Sequence, residues 1–274
     1  MIAATDSAAP LIVLAAGGTG GHVFPAEALA QELLAQNFRL ALITDRRGAA
    51  YGGTLGLIET YRVSARAVSG RGLVGLARGA AELAAGVVQA AGLLRRLAPA
   101  AVVGFGGYAA VPATAAALVL GLPTAIHEQN AVLGRANRLF ARRAARVCTS
   151  FDLAKPAPAG ATIVRTGMPV RAAVAAVRAT PYVPPVEAGP FRIVVLGGSQ
   201  GARVFSTIVP AAIARLAEPL RRRIEIAQQA RPEDIDATHA AYAGAGVHVE
   251  LRHFFDNVPE LLAKAHLLIV RAGA

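Results

Sequence analysis

Leu11-Ile12-Val13-Leu14-Ala15-Ala16-Gly17-Gly18-Thr19-Gly20-Gly21-His22 is the stretch on which the fold turns. Six small or apolar residues make a short strand that both faces of a sheet can bury. A Gly-rich turn follows. Phe24 to Gln36 then carries apolar residues at helical spacing, with Pro25 placed for a first turn. The same unit returns later: Phe191 to Leu196 as a strand, Gly197-Gly198-Ser199-Gln200-Gly201 as the turn, Arg203 to Leu216 as the helix.

Between these two units the alternation continues. Strands are expected at Phe38 to Thr44, Ala101 to Gly104, Pro123 to His127 and Val147 to Ser150. Helices are expected at Gly75 to Leu97, Pro112 to Leu120 and Leu133 to Arg143, with Gly106-Gly107-Tyr108 as a turn and Asp45 to Arg66 irregular. Further strands fall at Arg223 to Gln228, Val247 to Leu251 and Leu267 to Val270. Such alternation gives an α/β fold of doubly wound parallel sheets with right-handed crossovers. From Lys155 to Pro190, Pro and Ala replace the pattern, and the interdomain linker belongs there. The expected layout is a first domain over residues 1–165, a linker over 166–190 and a second domain over 191–274. That second domain is shorter than the roughly 100–150 residues such a domain needs. The chain stops just after a strand, at Arg271-Ala272-Gly273-Ala274, so the end of the second domain is expected to be missing.

Of the 274 residues 54% are hydrophobic but only 5% aromatic, with no Trp. The core must be built from Ala, Val, Leu and Ile, and a base-stacking platform for nucleic acid is disfavoured. The net charge is +11, almost all from Arg. This fits an acidic partner, such as a phosphorylated substrate or an anionic membrane surface, and fits equally the use of Arg for solubility. The single Cys148 excludes internal disulfides and reads as a buried strand residue in a reducing compartment. Residues 1–10 lack the basic start of a signal peptide. The longest apolar run, Tyr108 to Ile126, is broken by Pro112 and Pro123, so a helix followed by a buried strand explains it better than a membrane span.

Gly-rich turns before helices let backbone N–H groups approach phosphate. The usual fingerprints nevertheless fail. A G-x-G-x-x-G starting at Gly18 meets Val23, and one starting at Gly198 meets Gln200. Neither turn has the Lys-Ser/Thr of a P-loop, and Asp45 reads as a loop or cap residue. His22 lies where open α/β sheets bind ligands and suits a general base near neutral pH, or a turn residue. His127-Glu128-Gln129-Asn130 lacks the second His of a zinc helix, because position 131 is Ala. His127 and Glu128 read as a satisfied buried pair, while Glu128 and Asn130 also suit a substrate cleft. No metal site is indicated.

Together these segments resemble the bacterial undecaprenyldiphospho-muramoylpentapeptide β-N-acetylglucosaminyltransferase family. The resemblance rests on Gly17 through Pro25, Gly104 through Tyr108, His127 through Asn130, Gly197 through Arg203, Phe254-Phe255-Asp256-Asn257 and Arg271 through Ala274, in order over nearly the whole chain. It implies a GT-B fold, with two Rossmann-like domains facing a cleft. The first would bind the lipid-linked acceptor, lipid I, and the second UDP-GlcNAc. By position, the donor would touch Thr19, Gly20, Gly21, Asn130, Arg171, Ser199, Phe255 and Ala274. Met168 stands where the family carries Asn. The implied reaction is inverting transfer of GlcNAc to the MurNAc 4-hydroxyl of lipid I, giving lipid II in peptidoglycan synthesis. His22 or Glu128 would be the base, with helix N-termini and Arg holding the UDP leaving group, and no metal or cofactor. The implied location is the cytoplasmic face of the inner membrane, peripherally bound, with Ser69 to Pro99 resting on anionic lipid. The chain would then lack later donor-binding residues and bind UDP-GlcNAc poorly. The alternatives are another GT-B lipid glycosyltransferase, a non-catalytic remnant, or a Rossmann oxidoreductase, which the failed fingerprints oppose.

Overall fold

Every strand pair in the computed structural model is parallel. The structure describes residues 9–45, 52–65, 73–198 and 201–271. They fall into two compact units, dividing between Arg171 and Ala172.

The first unit contains β1 (Leu11–Ala15), α1 (Gly20–Ala35), β2 (Arg39–Asp45), a short 3-10 turn (Gly53–Leu57) and β3 (Glu59–Val63). It continues with α2 (Leu73–Leu97), β4 (Ala101–Gly104), α3 (Gly107–Val119), β5 (Thr124–Glu128), α4 (Arg135–Phe140), β6 (Arg146–Thr149) and β7 (Ile163–Arg165). The strand order is β3-β2-β1-β4-β5-β6-β7. The chain winds outward from β1 to β3, then returns to pair β4 on the other side of β1, with Ala15 opposite Gly104. The gap between β1 and β4 is therefore the switch point, where open sheets of this kind bind ligands.

Strand alternation explains the two cores. Leu11, Val13 and Ala15 face α2 and α3 with Ala41, Ile43 and Val102, while Ile12, Leu14 and Ala16 face the α1 side with Leu40 and Leu42. Burial on both faces is why β1 reads as an unbroken apolar run. The helices approach closely because their contact residues are small. On α3 these are Ala109, Ala110, Ala113, Ala116 and Ala117, all buried. A Cβ on Gly17 would lie 2.6 Å from Thr44 Oγ1 and 2.8 Å from Ala109 Cβ, so only glycine allows that approach.

Three expectations need correction. The irregular stretch from Asp45 to Arg66 contains β3, an edge strand whose residues are mostly half-exposed and so lack an apolar run. The Pro- and Ala-rich stretch contains β7, an exposed edge strand pairing β6. Helix α1 begins at Gly20, so Pro25 lies past the first turn and withholds one interior N–H. The run from Tyr108 to Ile126 is indeed a helix and a strand, α3 and β5. No helix among the described residues is long and apolar enough to cross a membrane.

The second unit holds α5 (Ala172–Ala176), β8 (Phe191–Leu196), α6 (Arg203–Ala214), α7 (Glu218–Arg221) and β9 (Ile224–Gln229). After these come α8 (Ile235–Gly244), β10 (His248–Arg252), α9 (Val258–Lys264) and β11 (Leu267–Val270). Its order, β10-β9-β8-β11, again reverses beside the first strand. Ile193, Val195, Val209, Ile213, Ile224, Ile226 and Tyr242 form its core.

Helix α2 supplies a paired test of this packing. A Cβ on Gly86 would strike the Ser64 carbonyl oxygen, whereas one on Gly92 meets open space. Gly86→Ala is expected to destabilise the unit by about 1–3 kcal/mol through overpacking. Gly92→Ala is expected to stabilise it by about 0.5–1 kcal/mol. Urea unfolding followed by circular dichroism checks both signs, and equal effects would contradict the packing described.

Candidate functional site

The site of the first unit is assembled at its switch point. Gly18 turns the chain at φ 83°, and Thr19, extended at φ −114°, precedes α1. The Thr19 carbonyl accepts from the N–H groups of His22 (3.0 Å) and Val23 (3.1 Å), which closes the first turn. Gly20 and Gly21 then open α1 with N–H groups that have no intrahelical acceptor, the arrangement that favours an anion. Arg171 is held near this helix, its guanidinium 4.4 Å from the centre of the Phe24 ring. Thr19, Gly20, Gly21 and Arg171 thus belong to one neighbourhood of this unit.

His22 is the third residue of α1. Its Nδ1 lies 2.8 Å from the carbonyl oxygen of Phe105, just past β4. A carbonyl only accepts, so Nδ1 carries the hydrogen, and in the neutral ring Nε2 keeps the lone pair. A Cβ on Gly107 would come within 3.0 Å of Nε2 and Cδ2, so glycine at 107 leaves that edge of the ring room. The turn after β4 is made for this approach: Gly106 and Gly107 both have positive φ, at 79° and 67°.

The polar residues after β5 are buried and divide their partners. Glu128 is 2% exposed. Its Oε1 accepts from the Asn130 backbone N–H (3.1 Å) and side-chain amide (2.9 Å). Its Oε2 accepts from the Gly134 N–H (2.8 Å) and the Asn137 amide (2.9 Å). Asn137 also donates to the His127 carbonyl at 3.1 Å. Four donors occupy the carboxylate, which fixes the loop leading to α4. His127 is satisfied elsewhere: Nε2 pairs with the Gly167 carbonyl at 3.2 Å, and Nδ1 faces the Gln129 amide at 3.3 Å. His127 and Glu128 are thus both satisfied, but not by hydrogen-bonding each other. Burial lowers the His127 pKa, against the raising effects of the Gly167 hydrogen bond and the Glu128 charge, so the neutral ring is favoured. Cys148 is half-buried in β6, and burial pushes its thiol pKa up, as expected of an unreactive strand residue.

In the second unit the corresponding turn is braced by a residue that pattern reading passed over. Gln229, at the end of β9, accepts from the Gly197 N–H at 3.2 Å and donates to the His253 carbonyl at 3.1 Å. A lone Gln closing a strand carries no pattern that singles it out. Gly201 at φ 68° closes the turn onto the Gly198 carbonyl at 2.8 Å. Phe255 is buried, with the Arg252 guanidinium 5.7 Å from its ring centre, whereas Phe254 is half exposed. Ser199 and Ala274 lie outside the described residues. Among the described residues no three His, Cys, Asp or Glu side chains gather as metal ligands.

Two parallel α/β units, each with a Gly-rich turn at its switch point leading into a helix, define a class: a two-domain α/β protein suited to receiving anionic groups at helix N-termini. The family models agree. Residues 12–149 match the glycosyltransferase family 28 N-terminal domain, and residues 192–274 match its C-terminal domain. A transferase from Paramagnetospirillum magneticum, named UDP-N-acetylglucosamine–N-acetylmuramyl-(pentapeptide) pyrophosphoryl-undecaprenol N-acetylglucosamine transferase, is 59% identical over 97% of this chain and 72% of its own length. Its namesake from Rhodospirillum rubrum is 57% identical over 97% of this chain and 69% of its own length. The crystal structure of Acinetobacter baumannii MurG matches with a TM-score of 0.67 and 29% identity, over 96% of this chain and 72% of that one. A plant UDP-glucosyltransferase from Polygonum tinctorium, 12% identical with a TM-score of 0.65, shares the fold. The chain belongs to glycosyltransferase family 28 and, within it, to the N-acetylglucosaminyltransferases that these relatives represent.

The four bonds to Glu128 give a direct test. Glu128→Gln keeps the shape but turns two N–H hydrogens toward groups that are themselves donors. Each donor left without an acceptor costs about 1–3 kcal/mol. Faster amide hydrogen exchange at Asn130 and Gly134, with a lower unfolding midpoint, is expected. Unchanged exchange there would mean that the carboxylate does not hold the loop.

Proposed function

We propose that this chain transfers N-acetylglucosamine from UDP-GlcNAc to the 4-hydroxyl of the N-acetylmuramyl group of undecaprenyl-diphospho-muramoylpentapeptide, with inversion, in peptidoglycan synthesis. The observation that carries the mechanism is the His22 ring, anchored through Nδ1 to the Phe105 carbonyl with its Nε2 lone pair left over. His22 would take the proton of the attacking hydroxyl as the sugar–phosphate bond breaks. The imidazolium so formed would strengthen its bond to Phe105. Glu128 is the weaker choice of base, since its oxygens already serve four donors.

The leaving diphosphate gains one negative charge as the sugar–oxygen bond breaks, and that charge needs donors. The N–H groups of the Gly-rich turns and the Arg171 guanidinium suit that need. On this reading Thr19, Gly20, Gly21, Asn130, Arg171, Ser199, Phe255 and Ala274 line the donor site. Asn130 is pre-oriented by its two bonds to Glu128. Residues 1–165 would take the acceptor, 166–190 would link, and 191–274 would take the donor.

Measured transfer to a soluble acceptor analogue tests the roles, run on this chain and on one extended to the full length of its relatives. His22→Ala is expected to lower kcat about 10²–10⁴-fold, with KM for UDP-GlcNAc nearly unchanged. A rate close to wild type would place the base elsewhere.

The lipid-linked acceptor calls for residence at the cytoplasmic membrane face, held peripherally. The net charge of +11 supports this, as does an exposed strip where Leu139, 73% exposed, stands among exposed Arg138, Arg142 and Arg143. On α2, Val88 is 72% exposed, with Arg95 and Arg96 exposed nearby. Ser69 to Gly72 lie outside the described residues. Sedimentation with liposomes containing anionic lipid is expected to bring the protein down at low salt and release it at high salt. Equal binding to neutral liposomes would count against an electrostatic contribution.

A further inference from the structure

His22 and Gln129 meet at a single atom. The Phe105 carbonyl oxygen lies 2.8 Å from His22 Nδ1 and accepts from Gln129 Nε2 at 2.9 Å. A carbonyl has two lone pairs, and here both are taken. The other Gln129 amide hydrogen is directed at His127 Nδ1, 3.3 Å away. Gln129 is 1% exposed, and its own Oε1 has no partner among the described residues. The side chain is therefore aimed for its two hydrogens at the expense of its oxygen.

The backbone at this point explains why such an aim matters. The peptide that carries the Phe105 oxygen is followed by Gly106 and Gly107, at φ 79° and 67°. Glycine imposes little rotational preference, so the residues themselves do not fix the direction of that carbonyl. The Gln129 amide does so from one side, and the His22 ring depends on the result from the other.

We infer that Gln129 is a positioning residue for the transfer reaction. It holds the Phe105 carbonyl so that His22 keeps its hydrogen on Nδ1 and its lone pair on Nε2. This rests on the reading of His22 as the base. Gln129 touches no reacting atom and acts through the carbonyl alone. His127 is the second contact of the Gln129 amide, through its Nδ1, while its Nε2 donates to Gly167.

Nitrogen-15 NMR of the histidine side chains, using two-bond correlations and with His22 assigned from His22→Asn, reads the tautomers without any need for turnover. The unmodified chain is expected to show His22 as the Nδ1–H form and His127 as the Nε2–H form. In Gln129→Met, His22 is expected to populate both tautomers. The kcat for transfer should fall about tenfold or more, as other enzymes do when a catalytic His adopts the wrong tautomer, with KM for UDP-GlcNAc within about twofold. Gln129→Glu keeps the size but replaces the donor with an acceptor, and is expected to shift His22 the same way. It serves as the test should the Met variant fail to fold. A His22 that remains wholly Nδ1–H in a folded variant overturns the inference. If instead His22→Ala transfers at the normal rate, the base assignment fails while the tautomer result still stands by itself.

Discussion

A carboxylate taken out of water must be supplied with donors, and Glu128 shows how much structure can hang on meeting that demand. Its four bonds reach the backbone at Asn130 and Gly134 and the side chains of Asn130 and Asn137. The path of the chain from the end of β5 into α4 is thereby set. Asn137 carries the effect further, because a Cβ on Gly106 would lie 3.0 Å from its amide nitrogen. The turn after β4 thus passes close beside Asn137, and that turn presents the Phe105 carbonyl to His22. The site depends on a chain of satisfied polar groups that begins at a residue with no solvent of its own.

The second dependence is on side chains that are missing. In each unit the Gly-rich turn opens with a glycine that has no room for a Cβ. Gly17 is pressed against Ala109 and Thr44, and a Cβ on Gly197 would lie 2.8 Å from Ala202 Cβ. In each unit the next glycine has positive φ, 83° at Gly18 and 84° at Gly198, with little or nothing within contact of an added Cβ. The division of labour is the same twice: one glycine packs and the next one turns. Gly-rich sequence alone did not separate these roles, since packing and phosphate approach call for the same residue.

Strands with an apolar run were legible: Ala101–Gly104 and Phe191–Leu196 inside their sheets, and Leu267–Val270 at an edge, begin and end where the sequence suggests. The edge strands of the first unit were not. Glu59–Val63 and Ile163–Arg165 are stabilised by backbone pairing to a neighbour, which leaves their side chains free to be polar or exposed. Of the site, His22 and the His127–Asn130 cluster could be picked out by their place at strand ends. Their partners could not. The groups that determine His22 and His127 are backbone carbonyls at Phe105 and Gly167, distant in sequence and carrying no residue signature. Asn137 and Gln229 matter through two contacts each, which only the folded backbone brings within reach.

On the proposed reading, a glycosyl transfer makes two opposite electrostatic demands of this chain. Activating a hydroxyl calls for a lone pair on a neutral base, and releasing a diphosphate calls for N–H donors and positive charge. A base buried beside free carboxylates would be protonated too readily, and donors crowded by carboxylates would repel the leaving group. In the first unit the carboxylate of the His127–Asn130 cluster is Glu128, and its charge is spread over four hydrogen bonds. In the second, the Gly197 turn is braced by the neutral amide of Gln229 rather than by an acid. A carboxylate at 229 would accept the same N–H, but it would set a negative charge against a turn that, on the proposed reading, must receive a diphosphate. The first turn is not free of acid, since a Cβ on Gly17 would lie 3.3 Å from Asp45 Oδ1, so the neutral brace sets the second turn apart from the first.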